Sequence, residues 1–440
     1  MKVLQVLNHF LPQQTAGTEV YTWALSKQLQ QKGIDVKVMI PNYGKNDSVD
    51  YIYDGLVVHQ YAEPSVVDRS LAMGFRQPDG LKNFTRFLKL EQPDIIHFHE
   101  LAGSNGITLN HVKEAKASGA KVVMTFHLSG YSCKTGTLVY KGKELCDGKI
   151  NLKKCTYCYL EQKGYSLLAP YLTNASLLLY NNSIDTTKWI TKMGTALGSV
   201  QIVAKLKSDF EDLISQCDQV IAITEWYQNI LIENGVENKK IALIKQGLPK
   251  SLSLDAKRVR NQEEPLKLLY LGRVSRYKGL HLLIDAINDI EESKLQLSIY
   301  GTADDINYEA DLKQRTKNRT NVFWRGGIPQ DRVAQTMHEN DILCLCSTFS
   351  EMSPLVIQEA FHVGIPVIAS GVYGNLEQIK HEQNGLIFKF NDVKSLKQQI
   401  TRLIHEEGLL NKLQSSKNTT FNFRMIAVKY KQLYESILKN

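Results

Sequence analysis

The chain has 440 residues, of which 43% are apolar and 22% charged, with a formal net charge of +8 at neutral pH. That length is ample for two or three domains with sizeable cores, and no apolar run is long enough to span a bilayer. The positive balance suits an anionic membrane surface or a phosphorylated substrate; no nucleic-acid-binding signature accompanies it, so nucleic acid is not expected as a partner.

The opening, MKVLQVLNHF, carries one Lys and an apolar stretch too short for a signal-peptide core. It reads as a first strand over 1–7, and the protein is expected in the cytoplasm. Residues 8–17 read as a loop. A helix is predicted over 18–32, with Val20, Ala24, Leu25 and Leu29 at helical spacing before Gly33 stops it. A strand over 36–40 completes a Rossmann-like opening whose helix begins beside Gly17. Further strands are predicted at 94–99 (DIIHFH) and 121–127 (KVVMTFH). Ligands of open parallel sheets bind beyond the carboxyl ends of strands, which singles out His99, Glu100 and His127. His97 is read as packing internally, on the side opposite His99.

Residues 130–164 hold four of the seven cysteines, Cys133, Cys146, Cys155 and Cys158, the last two as C-x2-C. In a cytosolic chain such thiols favour metal over disulfides. A structural zinc ion fits four thiolates, and so does an iron–sulfur cluster; unligated thiols or a redox bridge stay open. Lys134, Lys141, Lys143, Lys149, Lys153 and Lys154 make the segment basic, matching a lipid-phosphate acceptor, a membrane or a plain solvated face. Residues 165–216 are mainly helical. Their Leu and Tyr side chains either cover the sheet or form an apolar surface at a bilayer interface. Strands at 219–224 and 241–244 follow, then a polar stretch, 251–265, that reads as an interdomain linker.

The second half opens with a strand at 266–271 that runs into Gly272-Arg273 and Lys278-Gly279. Strands are then predicted at 295–300, 322–328, 341–346, 366–370 and 386–388, and a last helix at 425–438. Within SEMSPLVIQEAFHVGIPVIASG (350–371), Ser353 reads as an N-cap and Pro354 as the first helical residue. The N–H groups of Leu355 and Val356 then lack intrahelical partners and can hold an anion. Glu351 precedes that helix start, and Glu359 lies on the order of 8 Å further along the axis. A carboxylate on each side of an anion site suits a nucleotide diphosphate-sugar, with hydroxyls at both ends and phosphates between.

This stretch resembles the E-x7-E signature of retaining glycosyltransferases of family 4. The resemblance spans the chain and is strongest over 266–388. It implies an α/β GT-B fold, two Rossmann-like parallel-sheet domains facing across a cleft. The expected division is 1–250 for the acceptor side, including the cysteine segment 130–164, and 266–418 for the donor side. The final stretch, 419–440, would pack back on the first domain. By the same resemblance, Arg273 and Lys278 clamp the donor diphosphate, so that no metal cofactor is required for catalysis. Glu351 holds sugar hydroxyls, Glu359 the ribose, and Ser353, Leu355 and Val356 the phosphate end. Ile328 packs on the base, Glu377 is a supporting carboxylate, and His127 contacts the sugar. The family carries a Gly-Gly pair near the first helix; here the residues are Ala16-Gly17, and only Gly17 matches.

The expected reaction moves a sugar, with retention, from a nucleotide diphosphate-sugar to a hydroxyl acceptor such as a lipid-linked glycan. It would serve cell-surface polysaccharide or lipopolysaccharide synthesis, with peripheral contact at the inner membrane face. The alternatives are a nucleotide-sugar 2-epimerase of the same fold and a non-catalytic nucleotide-sugar-binding scaffold. A Rossmann oxidoreductase is disfavoured, because no G-x-G-x-x-G follows the first strand.

Overall fold

Runs rich in Leu, Val and Ile, buried on both faces, call for sheets covered by helices on each side. A computed structural model describes residues 1–102, 105–248, 263–416 and 421–439. They divide into two compact units, the first of 1–136, 147–248 and 421–439, the second of 137–146 and 263–416. The linker expected at 251–265 lies, apart from its last three residues, outside the described residues.

In chain order the first unit contributes β1 (Lys2–Val6), β2 (Asp35–Tyr43), β3 (Val49–Tyr53), β4 (Leu56–Glu63), β5 (Ile95–Phe98) and β6 (Lys121–Phe126). A small ribbon follows, β7 (Val139–Tyr140) with β8 (Glu144–Leu145), and then β9 (Gln219–Ala222) and β10 (Ile241–Leu243). The first sheet runs β10-β9-β6-β5-β1-β2-β4-β3. All its pairings are parallel except the edge hairpin of β3 and β4. Periodicity alone does not bring that hairpin out. Its turn, Asp54-Gly55, has φ of 47° and 75°, the left-handed pair that a two-residue hairpin requires.

The second unit holds β11 (Leu266–Leu271), β12 (Leu295–Tyr300), β13 (Val322–Gly326), β14 (Ile342–Leu345), β15 (Val367–Ser370) and β16 (Gly385–Phe388). They form an all-parallel sheet in the order β13-β12-β11-β14-β15-β16. The chain winds outward from β11 in one direction and from β14 in the other, so the order reverses between them. The corresponding reversal in the first sheet falls between β1 and β5. Such switch points open a crevice beyond the strand ends.

Two placements differ from the sequence reading. The cysteine segment is not wholly part of the first unit: residues 137–146 group with the second. The Ser350 N–H donates to the Thr137 carbonyl at 2.8 Å, and the Ser350 hydroxyl to the Leu138 carbonyl at 3.3 Å. His97 and His99 also do not face opposite ways. Residues two apart on a strand share a face, and their ring centroids lie 4.1 Å apart.

The last helix, Phe423–Lys439, packs in the first unit against the helix Gly17–Gln30. Phe423, Ile426, Ala427, Tyr430 and Tyr434 join Tyr21, Leu25 and Leu29 in one core. The Tyr21 and Tyr430 hydroxyls lie 2.7 Å apart, with Thr125 Oγ1 3.2 Å from the Tyr430 hydroxyl. The Tyr434 hydroxyl reaches His97 Nδ1 at 2.7 Å. Buried hydroxyls so paired fix the helix in register as well as in place. Truncating Tyr430 to Ala is expected to destabilise the first unit by about 3–5 kcal/mol, and Tyr430→Phe by about 1–3 kcal/mol through the lost hydrogen bonds. Chemical denaturation of the two variants checks both values; a Tyr430→Phe variant as stable as wild type would mean that the hydroxyl network contributes nothing beyond packing.

Candidate active site

In the second unit the switch point is built by two loops, one after β11 and one after β14. Past β11 the chain makes a one-turn 3-10 helix, Arg276–Lys278, that ends at Gly279 with φ of 67°. A Cβ there would stand 1.9 Å from the Cys346 carbonyl, so only Gly lets this turn lie against the end of β14. The Thr348 N–H donates to the Tyr277 carbonyl at 2.8 Å and locks the two loops together. This contact brings Lys278 Nζ to 2.6 Å from Glu351 Oε1, and the Ser347 hydroxyl donates to the same oxygen at 2.6 Å. The side chains of Lys278 and Glu351 are 28% and 8% exposed. A pair so shielded is screened much less than a surface one. Lys278 also lies over the Phe349 ring, 5.3 Å from its centroid.

The next helix, Leu355–His362, starts one residue later than the sequence suggests. Its N-cap is Pro354, with ψ of 116° and no side-chain cap bond, so Ser353 lies in the loop before it. Proline holds its own φ near the helical value, but the extended ψ delays the first helical residue to Leu355. The Ile357 N–H bonds the Pro354 carbonyl at 3.2 Å, which leaves Leu355 and Val356 as the leading N–H groups. Gly374, in the first turn of the helix Tyr373–Gln378 that follows β15, closes over this corner: a Cβ there would lie 2.1 Å from the Glu351 carbonyl. Glu359 is half-buried and takes a hydrogen bond from the Gln330 amide at 3.2 Å. Burial holds its carboxyl above the usual range, and the Gln330 bond offsets part of that. Arg273 is mostly exposed, with Asp304 3.3 Å from its guanidinium. Ile328 packs on the core that contains Leu269 and Ile357, and Glu377 lies on the helix Tyr373–Gln378.

In the first unit, Gly17 opens its helix with Ala16 extended before it, and a Cβ at Gly17 would meet nothing within 4 Å. Neither backbone strain nor packing therefore demands glycine there, and the loop surface above it stays open. At the ends of β5 and β6, His99 Nδ1 lies 3.1 Å from His127 Nε2, and His99 Nε2 lies 2.7 Å from Gln5 Oε1. The amide oxygen can only accept, so His99 carries its proton on Nε2. Its Nδ1 then accepts from the His127 Nε2–H, which leaves His127 Nδ1 as the lone-pair nitrogen. Burial lowers His127 to about 3 and drives His97 and His99 well below 6.5, with neighbouring imidazoles adding to the shift in both. All three are neutral acceptor–donor rings at ordinary pH.

Several residues near these loops carry weak signals in the sequence. Ser347 and Gln330 are ordinary polar residues until the fold sets them beside Glu351 and Glu359. Glu19 is 1% exposed, takes a hydrogen bond from the Gln14 amide at 2.6 Å, and has its second oxygen unbonded. An acid two residues past Gly17, in the first turn of a helix, is the signal that could have marked it.

The cysteines divide between the units, Cys133, Cys155 and Cys158 in the first and Cys146 in the second. Cys155 Sγ accepts from the Asn151 N–H and Cys158 Sγ from the Gln162 amide, each at 3.4 Å; Cys133 Sγ lies 3.2 Å from the Thr135 hydroxyl. Among the described residues, no three or more His, Cys, Asp or Glu side chains form a group able to hold a metal ion.

Two largely parallel sheets, each with a strand-end switch point, define a doubly wound α/β protein. The family described as glycosyl transferases group 1 matches residues 254–419, and glycosyltransferase family 4 matches residues 15–151. The amylovoran biosynthesis glycosyltransferase AmsK of Erwinia amylovora is 27% identical over 49% of this chain and 54% of its own. The chain spans between 38% and 66% of the length of the curated glycosyltransferases that it matches first. Among solved structures, sucrose-phosphate synthase of Thermosynechococcus elongatus superposes with a TM-score of 0.65, at 17% identity, over 100% of this chain and 99% of that one. HepE of Anabaena, in complex with UDP and glucose, gives 0.59 at 16% identity over 99% of both chains. Fold and family matches together support a GT-B glycosyltransferase of the family 4 type.

The buried imidazoles have a measurable consequence. His97, His99, His111 and His127 all have folded pKa values below the ordinary 6.5, His111 and His127 at about 3. The unfolded chain therefore binds protons that the folded one refuses, so stability is full above pH 6.5 and is lost as pH falls from there towards 3. Each buried ring adds to that loss. Calorimetry between pH 7.5 and 5 is expected to show a falling Tm with proton uptake on unfolding. A flat profile would mean that these rings are solvated.

Proposed function

We propose that this chain is a retaining glycosyltransferase that moves a sugar from a nucleotide diphosphate-sugar to a hydroxyl, with a lipid-linked glycan as acceptor. The reading rests on one observation above all. Lys278 and Glu351 converge at the switch point of the second sheet, beside the leading N–H groups of the helix Leu355–His362. A cation, a carboxylate and a helix N-terminus in one corner suit a ligand with a diphosphate next to a polyol.

In this reading the Leu355 and Val356 N–H groups, Lys278 and Arg273 hold the diphosphate. Arg273 offers a planar fork to phosphate oxygens, and Lys278 a compact charge. Together they neutralise the leaving group as the bond from the anomeric carbon to phosphate breaks, the task that a metal performs in other transferases. Glu351 exchanges part of its bond with Lys278 for sugar hydroxyls. Glu359, held by Gln330, accepts from the ribose hydroxyls, and the half-buried Ile328 lies beside the base. In the first unit, the lone-pair Nδ1 of His127 is able to accept from a hydroxyl. The acceptor oxygen attacks on the face that the phosphate leaves, its proton passing to the departing phosphate oxygen, so configuration is retained without a covalent glycosyl-enzyme. A place in extracellular polysaccharide synthesis is supported by the likeness to AmsK, and a uridine donor by the bound UDP of HepE.

The test is a thermal-shift and turnover panel of nucleotide diphosphate-sugars in the presence of a chelator. One donor is expected to raise Tm in the wild type and not in Arg273→Ala, and the product should keep the donor's anomeric configuration. Glu359→Ala is expected to lower kcat/KM by about ten- to a hundred-fold, the worth of hydrogen bonds to a charged group. A Glu359→Ala enzyme near wild-type kcat/KM would overturn the ribose assignment. Donor consumed without acceptor and recovered as its epimer would replace the transferase by an epimerase.

A further inference from the structure

Residues 167–193 of the first unit show more large apolar surface to solvent than any catalytic role explains. Leu167 is 90% exposed, Ile190 86%, Tyr171 74% and Leu178 65%, with Trp189 and Met193 each about half exposed. Isolated exposed apolar residues are ordinary; a cluster of this density marks an interaction surface. On the helix Ala169–Asn181, Tyr171 and Leu178 stand seven residues apart, two turns along one stripe, while Leu172, Thr173 and Ser176 are buried on the other side. The sequence therefore builds a helix with a second apolar face that the core does not use.

The turn that carries Trp189 and Ile190 is held rigidly from behind. The Arg69 guanidinium donates to the Thr187 carbonyl at 2.7 Å, the Trp189 carbonyl at 3.1 Å and the Thr195 hydroxyl at 3.2 Å. The Thr186 hydroxyl donates to the Gly194 carbonyl at 2.9 Å, and the Thr191 side chain caps the helix Lys192–Leu197. Its polar backbone groups are thus satisfied inward, and Trp189, Ile190 and Met193 are displayed outward on a fixed frame. That helix packs against Ala169–Asn181, so the two apolar groups belong to one subdomain.

Charge selects the occupant. Between residues 162 and 200 the chain carries Lys163, Lys188 and Lys192 against a single acid, Asp185, and Asp185 already caps the turn through the Thr187 N–H and hydroxyl. Lysines beside Trp, Tyr and aliphatic side chains match the anionic headgroups and upper acyl chains of a bilayer, where aromatic rings also settle. We infer that the surface formed by Leu167, Tyr171, Leu178, Trp189, Ile190 and Met193, flanked by Lys188 and Lys192, docks the first unit on an anionic phospholipid bilayer. No helix among the described residues is long and apolar enough to cross a membrane, so docking is peripheral. The inference stands on this surface alone and does not depend on the transferase reading.

Flotation of the full chain with vesicles of phosphatidylcholine alone, or with about one third phosphatidylglycerol, tests it. The anionic vesicles are expected to bind the wild type and to shift Trp fluorescence to the blue. Leu167→Asn combined with Ile190→Asn should weaken partitioning at least tenfold, while the Tm of the protein without vesicles stays unchanged. Lys188→Ala and Lys192→Ala should each cost about fivefold on anionic vesicles and nothing on neutral ones. Equal binding of wild type and the Asn variant to vesicles would overturn the assignment. So would a wild type that ignores vesicles and instead forms a dimer that the Asn variant loses, which would make a second copy of the chain the occupant.

Discussion

Parallel strand pairing governs where this protein can put its chemistry. Every strand in a parallel sheet must be followed by a crossover, so all strand-to-helix loops emerge at one edge and all helix N-termini point the same way. Lys278 and Glu351, 73 residues apart, meet there at 2.6 Å. His99 and His127 meet at the edge of the other sheet at 3.1 Å. Neither meeting reflects local sequence. Both depend on the register of strands far apart in the chain, and the first also on Gly279 and Gly374 allowing backbone to approach backbone without a Cβ between.

The two units use burial in opposite ways. Around His127 the core removes water from imidazole rings that have no carboxylate partner among the described residues, and the neutral state costs least. The rings then act as directional donors and acceptors in a chain that starts at Gln5. Around Glu351 burial is offset by charge, with a lysine and a hydroxyl on one carboxylate oxygen. A neutral acceptor and a compensated ion pair are different tools.

The last helix shows how far the first core reaches along the chain. Residues 421–439 complete a cluster that begins at Val3, and Tyr430 and Tyr434 bond Thr125 and His97 directly beneath the strand ends. The imidazole network is therefore supported from the far end of the sequence.

Much of this is legible in the amino-acid sequence. The strands at 266–271 and 295–300, the Rossmann-like opening and the helix at 355 follow from runs of buried aliphatic residues between turn residues, since burial on both faces leaves a one-dimensional mark. The edge hairpin at 49–63 leaves only its Asp-Gly turn, because a strand exposed on one side carries a weaker pattern. Residue types at the candidate site are readable too: Lys278 follows a predicted strand, and Glu351 and Glu359 flank a predicted helix start. What the letters do not hold is geometry. Whether Ser353 or Pro354 caps the helix depends on one ψ angle, and the shared face of His97 and His99 follows from strand alternation, but the closeness of their rings, 4.1 Å between centroids, does not. The allotment of residues 137–146 to the second unit, and of Ser347 and Gln330 to their carboxylates, arises from contacts that folding makes. Burial and turn preferences act on neighbours along the chain, so the letters alone decide the elements and the chemical groups they carry. Distance, register and desolvation act across the chain, so only the folded molecule decides which groups meet and in what state of charge.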